Sequence, residues 1–404
     1  MIRATLSLKY LLLAALVAAG GHALAAPDQR RAEIPRGFDP EPQLAAIYQQ
    51  IGRLRMNDAL RMTDDLIAQA PNFRLAHLIR GDLLLARAGP IKTFGAAPGA
   101  PADKIADLRE EALSRLKAYR ERPPEGKVPR YLLQMRPDQK TALVVDTKRS
   151  RLYVYRNDNG RPQFVADFYV SQGKNGIFKM TEGDQRTPIG VYTITDNVPG
   201  YKLIDFYGKG ALPLNYPNDW DKLHGRGGSG IWLHGVPSDT FSRPPRSSDG
   251  CVVLANADLK KLSRLVQVGA TPVVISETVE WLSLDDWHGE RQSLQKAIEN
   301  WRVDWESMDF VRFAGHYSRS FKNDAGNLEP WLNNRRELMR SKQWAKVNVK
   351  NISMFRYPGG DEMVMVEFMQ SFASNDLQSQ LKKRQYWRKE NNVWRIAYEG
   401  NLPA

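Results

Sequence analysis

Cysteine is nearly absent. Cys251 is the one copy in 404 residues, so no intramolecular disulfide can form, nor can the close thiol pairs that structural zinc sites favour. Long apolar runs are scarce too. The one near the N terminus, Tyr10 to Ala19, falls well short of the ~20 residues that cross a bilayer as a helix, and no other stretch is apolar enough to span. Acidic residues are outnumbered: 58 Lys and Arg against 45 Asp and Glu leave a net charge of +13. A basic excess of this size points first to nucleic acid, but the N terminus argues otherwise. Arg3 and Lys9 flank the start of the apolar run, and Ala23-Leu24-Ala25 supplies the small residues of a cleavage site. Residues 1–25 therefore read as a cleavable secretory signal. An exported chain does not meet nucleic acid, and anionic material outside the cytoplasm matches the charge better. In an oxidising compartment, a single thiol is kept for chemistry rather than for stapling.

A chain of 404 residues is too long for one ordinary core, and its periodicity divides it. Residues 36–122 read as helical. Leu44, Ile47, Tyr48, Ile51 and Leu54 follow a 3.6-residue period, as do Leu60, Leu66 and Ile67, then Leu75, Leu78, Ile79 and Leu83. Pro71-Asn72 separates two helices, Gly81 offers a site for close helix packing, and a further helix is expected over 102–120. The unit resembles part of a tetratricopeptide repeat in one copy, so no solenoid follows. It either receives a protein partner or packs on the next domain. Pro123 to Gly126 reads as a linker. From 138 to 277 the period falls to two: Leu143 and Val145, then Leu152 and Val154, mark half-buried strands, and Asp158-Asn159-Gly160 marks a hairpin. Asn256 reads as the N-cap of a helix that Gly269 closes, and 272–276 as the last strand of a mainly antiparallel β domain. Beyond it lie all of the ten tryptophans except Trp220 and Trp232. Over 288–402 the pattern is helices near 293–305 and 329–343, then strands over 347–357, 363–372 and 383–398. The last strand region folds on Asn391-Asn392. The fold class is multidomain α+β.

The chemistry gathers at Ile231-Trp232-Leu233-His234-Gly235 and Ser248-Asp249-Gly250-Cys251. Apolar runs bracket both, so imidazole and thiol should meet where two strands end, joined by a Pro- and Arg-rich loop. An imidazole that takes the thiol proton gives a thiolate–imidazolium pair and lowers the thiol pKa. Gly250 permits a tight turn, and backbone N–H groups around Gly250 and Cys251 can form an oxyanion hole. Gly235 has no side chain, so a backbone carbonyl there is expected to orient His234. A zinc set of Cys251, His234, Asp249 and His224 lacks close ligand pairs. Neither a metal nor a cofactor is expected, and His224 reads as a surface residue. The remaining alternative for Cys251 is a small buried hydrophobe.

His-Gly, a loop, then Ser-x-Gly-Cys resembles the active site of the YkuD-type L,D-transpeptidases, and Thr187-Pro188-x-Gly190 resembles a motif those domains carry upstream. The resemblance implies Cys251 as nucleophile, His234 as general base, and an acyl-enzyme formed from a peptidoglycan stem tetrapeptide in the periplasm. Many members have histidine where this chain has Asp249, and arginine where it has Val253. Arg243, Arg246 and Ser248 are then expected to bind substrate. Ser-Asp-Gly-Cys-Val-Val-Leu with domains on both sides resembles the cell-shape-determining branch of Csd6-type proteins, some of which are L,D-carboxypeptidases. The C-terminal order of elements resembles the NTF2-like cone. Three readings follow: a transpeptidase using an amine acceptor, a carboxypeptidase using water, or a non-catalytic wall-binding scaffold.

Overall fold

The computed structural model describes residues 38–91, 93–95, 99–359 and 362–403; the expected signal segment lies outside them. Four helices come first: α1 (Pro40–Gly52), α2 (Met56–Gln69), α3 (Arg74–Ala88) and α4 (Ala102–Arg120). Asp39 caps α1 by accepting from the Glu41 N–H at 3.0 Å, and Pro40 opens it at a position where its missing N–H costs nothing. The apolar stripes Leu44/Ile47, Leu60/Leu66 and Leu75/Ile79/Leu83 meet in one core with Phe73 and Ala112. Gly81 does not make the expected close approach: no atom lies within 4 Å of where its Cβ would stand.

Between α4 and the central domain, short strands bind the chain elsewhere. Val128–Pro129 pairs with Trp281–Leu282, and Leu132–Gln134 becomes the outer strand of the C-terminal sheet. The central sheet has ten strands. From one edge its path runs Gly190–Thr193, Pro272–Ser276, Thr141–Asp146, Arg151–Asp158, Arg161–Gly173, Val252–Leu254, Trp232–His234, Gly210–Pro213, Val198–Pro199. Arg246–Ser248 lies beside the end of Arg161–Gly173. Most pairs are antiparallel, and the Asn159-Gly160 hairpin forms with positive φ at both residues. Trp232–His234 and Val252–Leu254 are parallel neighbours. A parallel pair needs a crossover connection, and here it is an irregular loop through residues 235–245.

Helix α5 (Asp219–Leu223) sits in the long connection before the histidine strand, and α6 (Asn256–Leu262) follows the cysteine strand. The N-cap of α6 is Ala255, not Asn256. The Asn256 amide is spent on the loops instead, donating to Val236 O at 2.7 Å and accepting from the Lys209 N–H at 2.9 Å.

Strands expected to be half-buried are buried on both faces. Leu143, Val145, Leu152 and Val154 join the core over α6. The alternate residues Ala142, Val144, Tyr153 and Tyr155 pack with Phe355, Met363, Met365, Tyr386 and Tyr398. These belong to the C-terminal sheet, so the two domains share a hydrophobic layer. That sheet comprises Ala345–Arg356, Met363–Ser374, Gln378–Glu390 and Val393–Leu402, with Leu132–Gln134 at its edge. Helices α7 (Leu284–Glu306), α8 (Phe310–Ala314) and α9 (Leu328–Arg340) accompany it. Helix α7 starts earlier than its apolar period suggests, because Ser283 accepts from the Asp286 N–H at 3.1 Å. Trp287, Trp301, Trp305, Trp331, Trp387 and Trp394 are buried in its core. No helix of the described residues is long and apolar enough to cross a membrane.

Candidate active site

His234 ends its strand between two neighbours, with Ala211 on one side and Val253 on the other. It is 1% exposed. Its Nδ1 lies 2.7 Å from the Gly235 carbonyl. A carbonyl only accepts, so this contact places the proton on Nδ1 and leaves Nε2 as the free lone pair. Gly235 is required: a Cβ there would collide with Asn256 Oδ1. The ring is walled by Tyr207, edge-on at 5.1 Å, and Phe206 at 5.9 Å; Tyr207 in turn packs on Trp232 at 4.8 Å. Burial drives the imidazole pKa from 6.5 down to about 4; the Gly235 contact opposes the shift and the Arg243 charge adds to it.

Cys251 stands just before Val252, the register partner of Leu233. Thiol and imidazole therefore issue from adjacent parallel strands, but not from strand ends that meet as expected: His234 closes one strand, while Cys251 precedes the start of the other, two positions away in register. The thiol rests on Gly230 O at 3.3 Å. The turn that presents it is tied down on every side. Ser248 Oγ donates to Cys251 O at 2.6 Å and accepts from the Gly250 N–H at 3.2 Å. Thr187 Oγ1 donates to Gly250 O and accepts from the Gly173 N–H, both at 2.9 Å. Gly250 has φ +127°, and a Cβ on it would press on Arg186 O at 2.7 Å. In a trans peptide the carbonyl and the next N–H point opposite ways. Holding Gly250 O on Thr187 thus sets the direction of the Cys251 N–H.

A thiolate–imidazolium pair is not the resting state. Burial raises the Cys251 pKa above its usual 9.0 and Asp249 adds to the rise, outweighing the Trp232 backbone, Arg243 and Lys179, which pull the other way. With the imidazole pushed down and the thiol pushed up, both partners rest neutral.

Arg243 is the cation common to the pair, since its charge acts on both His234 and Cys251. Its guanidinium lies 4.7 Å over the Phe206 ring. Among the described residues no carboxylate forms an ion pair with it, and burial lowers its pKa. The other two expected substrate contacts are engaged elsewhere. Arg246 pairs with Glu110 of α4 at 3.1 Å. Ser248 is 2% exposed, and its hydroxyl both donates and accepts within the turn. The Gly250 N–H, expected in the oxyanion hole, is likewise taken by Ser248, leaving the Cys251 N–H as the donor the turn aims. His224 stacks on Trp220 at 4.3 Å with Nδ1 2.8 Å from Trp220 O. Among the described residues no three His, Cys, Asp or Glu side chains converge as a metal site.

A family model for the L,D-transpeptidase catalytic domain, YkuD, matches residues 140–275, and one for the Cds6 C-terminal NTF2-like domain matches 293–400. Residues 140–275 thus form a YkuD-type L,D-transpeptidase catalytic domain, followed by a Cds6-type NTF2-like domain. Among solved structures, Bd1075 of Bdellovibrio bacteriovorus is 28% identical with a TM-score of 0.60, the match covering 69% of this chain and 99% of Bd1075. The helical cell shape determining protein Pgp2 of Campylobacter jejuni is 22% identical with a TM-score of 0.59, covering 67% of this chain and 95% of Pgp2. No curated protein sequence matches. In this YkuD domain, Asp249 occupies the position where many members have histidine, and it is held by Lys174 at 2.9 Å and Gln185 at 3.1 Å. Phe206, Tyr207 and Gly230 were not foreseen from sequence, because isolated aromatics and glycines outside the strands carry no periodic signal. Thr187 is the exception: its motif pointed to it.

Proposed function

We propose that the protein is an exported peptidoglycan L,D-transpeptidase acting in the periplasm through a cysteine acyl-enzyme on stem tetrapeptides. The observation that carries this reading is the Arg243 guanidinium, which lies 4.7 Å over the Phe206 ring that packs beside His234 and, among the described residues, has no carboxylate within ion-pair distance. A half-buried cation with no ion-pair partner is open to an incoming anion, and a substrate carboxylate supplies it. Docked there, the stem peptide brings the carbonyl of its penultimate residue to the thiol.

Cys251 Sγ attacks that carbonyl while its proton passes to His234 Nε2, the nitrogen left free by the Gly235 contact. Because both groups start neutral, proton transfer accompanies attack rather than preceding it. The Cys251 N–H, directed by Thr187 through Gly250, donates to the oxyanion. Collapse of the intermediate expels D-alanine, whose nitrogen takes the proton from His234. An amine then attacks the thioester as His234 removes its proton, the C–S bond breaks, and the Cys251 sulfur leaves and takes that proton back from His234.

The test is incubation with disaccharide-tetrapeptide, with and without an excess of a D-amino acid, and mass analysis of the products. Exchange or dimer products support transfer. Tripeptide alone makes the enzyme a carboxypeptidase. Untouched substrate leaves a wall-binding scaffold, and equal turnover by Cys251→Ala rules out the cysteine acyl-enzyme.

A further inference from the structure

The loop joining His234 to Cys251 carries Arg243, and the N-terminal helices hold it. Phe241 inserts into their core, its ring 4.6 Å from Phe73 and 5.8 Å from Phe38. Ser242 Oγ donates to Glu111 Oε1 of α4 at 2.6 Å. Asn72, between α2 and α3, donates to Ser238 O at 3.4 Å. Beyond Arg243, Arg246 pairs with Glu110. The loop is thus fixed on both sides of Arg243, whose guanidinium lies over the Phe206 ring beside His234.

The main chain of Arg243 is held through the same helices. Tyr169 donates its hydroxyl to Arg243 O at 2.9 Å, and the Arg115 guanidinium of α4 lies 3.8 Å over the Tyr169 ring. Arg115 is bonded to Glu111 at 2.9 Å and to Glu41 of α1 at 3.3 Å. Glu111, 2% exposed, therefore holds both Arg115 and Ser242. This cluster joins two helices, a sheet strand and the loop. The helices lie outside both family models, which begin at residues 140 and 293, so this support is an addition to the catalytic domain.

We infer that the N-terminal helical domain is a positioning element of the catalytic site: by gripping Phe241 and Ser242 it presents Arg243 to the carboxylate of the substrate. The inference rests on the transpeptidase reading above. Phe241, Ser242 and Glu111 are positioning residues and touch no substrate. A charge-assisted contact is worth ~10–100-fold in binding, and a loosened loop forfeits much of it while leaving Cys251 and His234 on their strands.

The experiment compares D-alanine release from the tetrapeptide with release of the amide from its C-terminally amidated analogue, using the full chain. The variants are Phe241→Ala, Ser242→Ala, Arg243→Ala and the double variant Phe241→Ala/Arg243→Ala. Phe241→Ala is expected to raise KM for the tetrapeptide roughly tenfold with kcat within about twofold, and to leave KM for the amide unchanged. Ser242→Ala, which removes one hydrogen bond and no packing, should shift KM the same way by less. In the Arg243→Ala background, Phe241→Ala should have no further effect on KM. Unchanged KM in both single loop variants, or equal loss on the two substrates, overturns the inference while leaving the enzymatic reading intact. Failure of the unaltered protein to act on the tetrapeptide overturns that reading, and the inference with it.

Discussion

The carbonyl of Gly235 lies 2.7 Å from Nδ1 of His234, its own neighbour in the chain. A backbone acceptor therefore takes the place of the carboxylate that often orients a catalytic imidazole. It fixes the tautomer without adding a charge that would stabilise the imidazolium. That arrangement, combined with burial, gives the site a resting state opposite to a preformed ion pair.

The first consequence concerns thiol reactivity. Burial holds the Cys251 thiol above its usual 9.0 and His234 is pushed down to about 4. Alkylation of Cys251 by iodoacetamide should therefore climb through the alkaline range and be slow at neutral pH. Arg243→Ala should move the curve further up, since Arg243 lowers the thiol pKa. A flat plateau from about pH 6 to pH 8 would show a standing thiolate and defeat the neutral-pair account.

Acid stability gives a second measurement. The His234 pKa is about 4 in the fold against 6.5 outside it. Between these values the unfolded chain binds a proton that the folded one refuses. Stability should therefore fall as pH drops from 6.5 to about 4 and level off below, by about 3 kcal/mol from this group. Above 6.5 the group contributes no pH dependence. Urea unfolding of the parent and of His234→Asn at pH 7 and near pH 4 isolates the effect. The variant should lose less stability on acidification than the parent; identical losses would contradict the assignment.

Thr187→Val tests the turn. The variant keeps the shape of the side chain and removes both hydrogen bonds to the Gly173 and Gly250 backbone. It should lower kcat by about 10- to 100-fold with little change in KM, because the Cys251 N–H loses its direction at the moment an oxyanion forms. The expected stability loss, about 1–3 kcal/mol, appears as a lower midpoint in denaturant. An unaltered kcat would mean that Thr187 serves only the fold.

Parts of this architecture could be read directly from the residues. Helix α4 runs over Ala102–Arg120, as its apolar period and the flanking prolines suggest, and Pro272–Ser276 forms as a strand. The motif residues His234 and Cys251 fall on neighbouring parallel strands because each follows or precedes a short apolar run, though at opposite ends of the pair. What periodicity could not show was the second covering of the central sheet. Ala142, Val144, Tyr153 and Tyr155 are as apolar as their neighbours, but only the C-terminal sheet, far away in the chain, explains why. Leu132–Gln134 is too short to display any period, so its membership of that sheet was invisible. Ser248 and Arg246 show the limit of motif matching. Position beside a cysteine says nothing about whether a hydroxyl is already engaged in the turn, or whether a guanidinium has met Glu110.

The layer formed by Val144, Tyr153 and Tyr155 against Phe355, Met365 and Tyr386 has a mechanical consequence. Two modules joined by a flexible tether would sample many separations, but two modules that complete one another's interior cannot part without unfolding. Any group bound on the C-terminal module would therefore stand at a constant offset from the Cys251 sulfur.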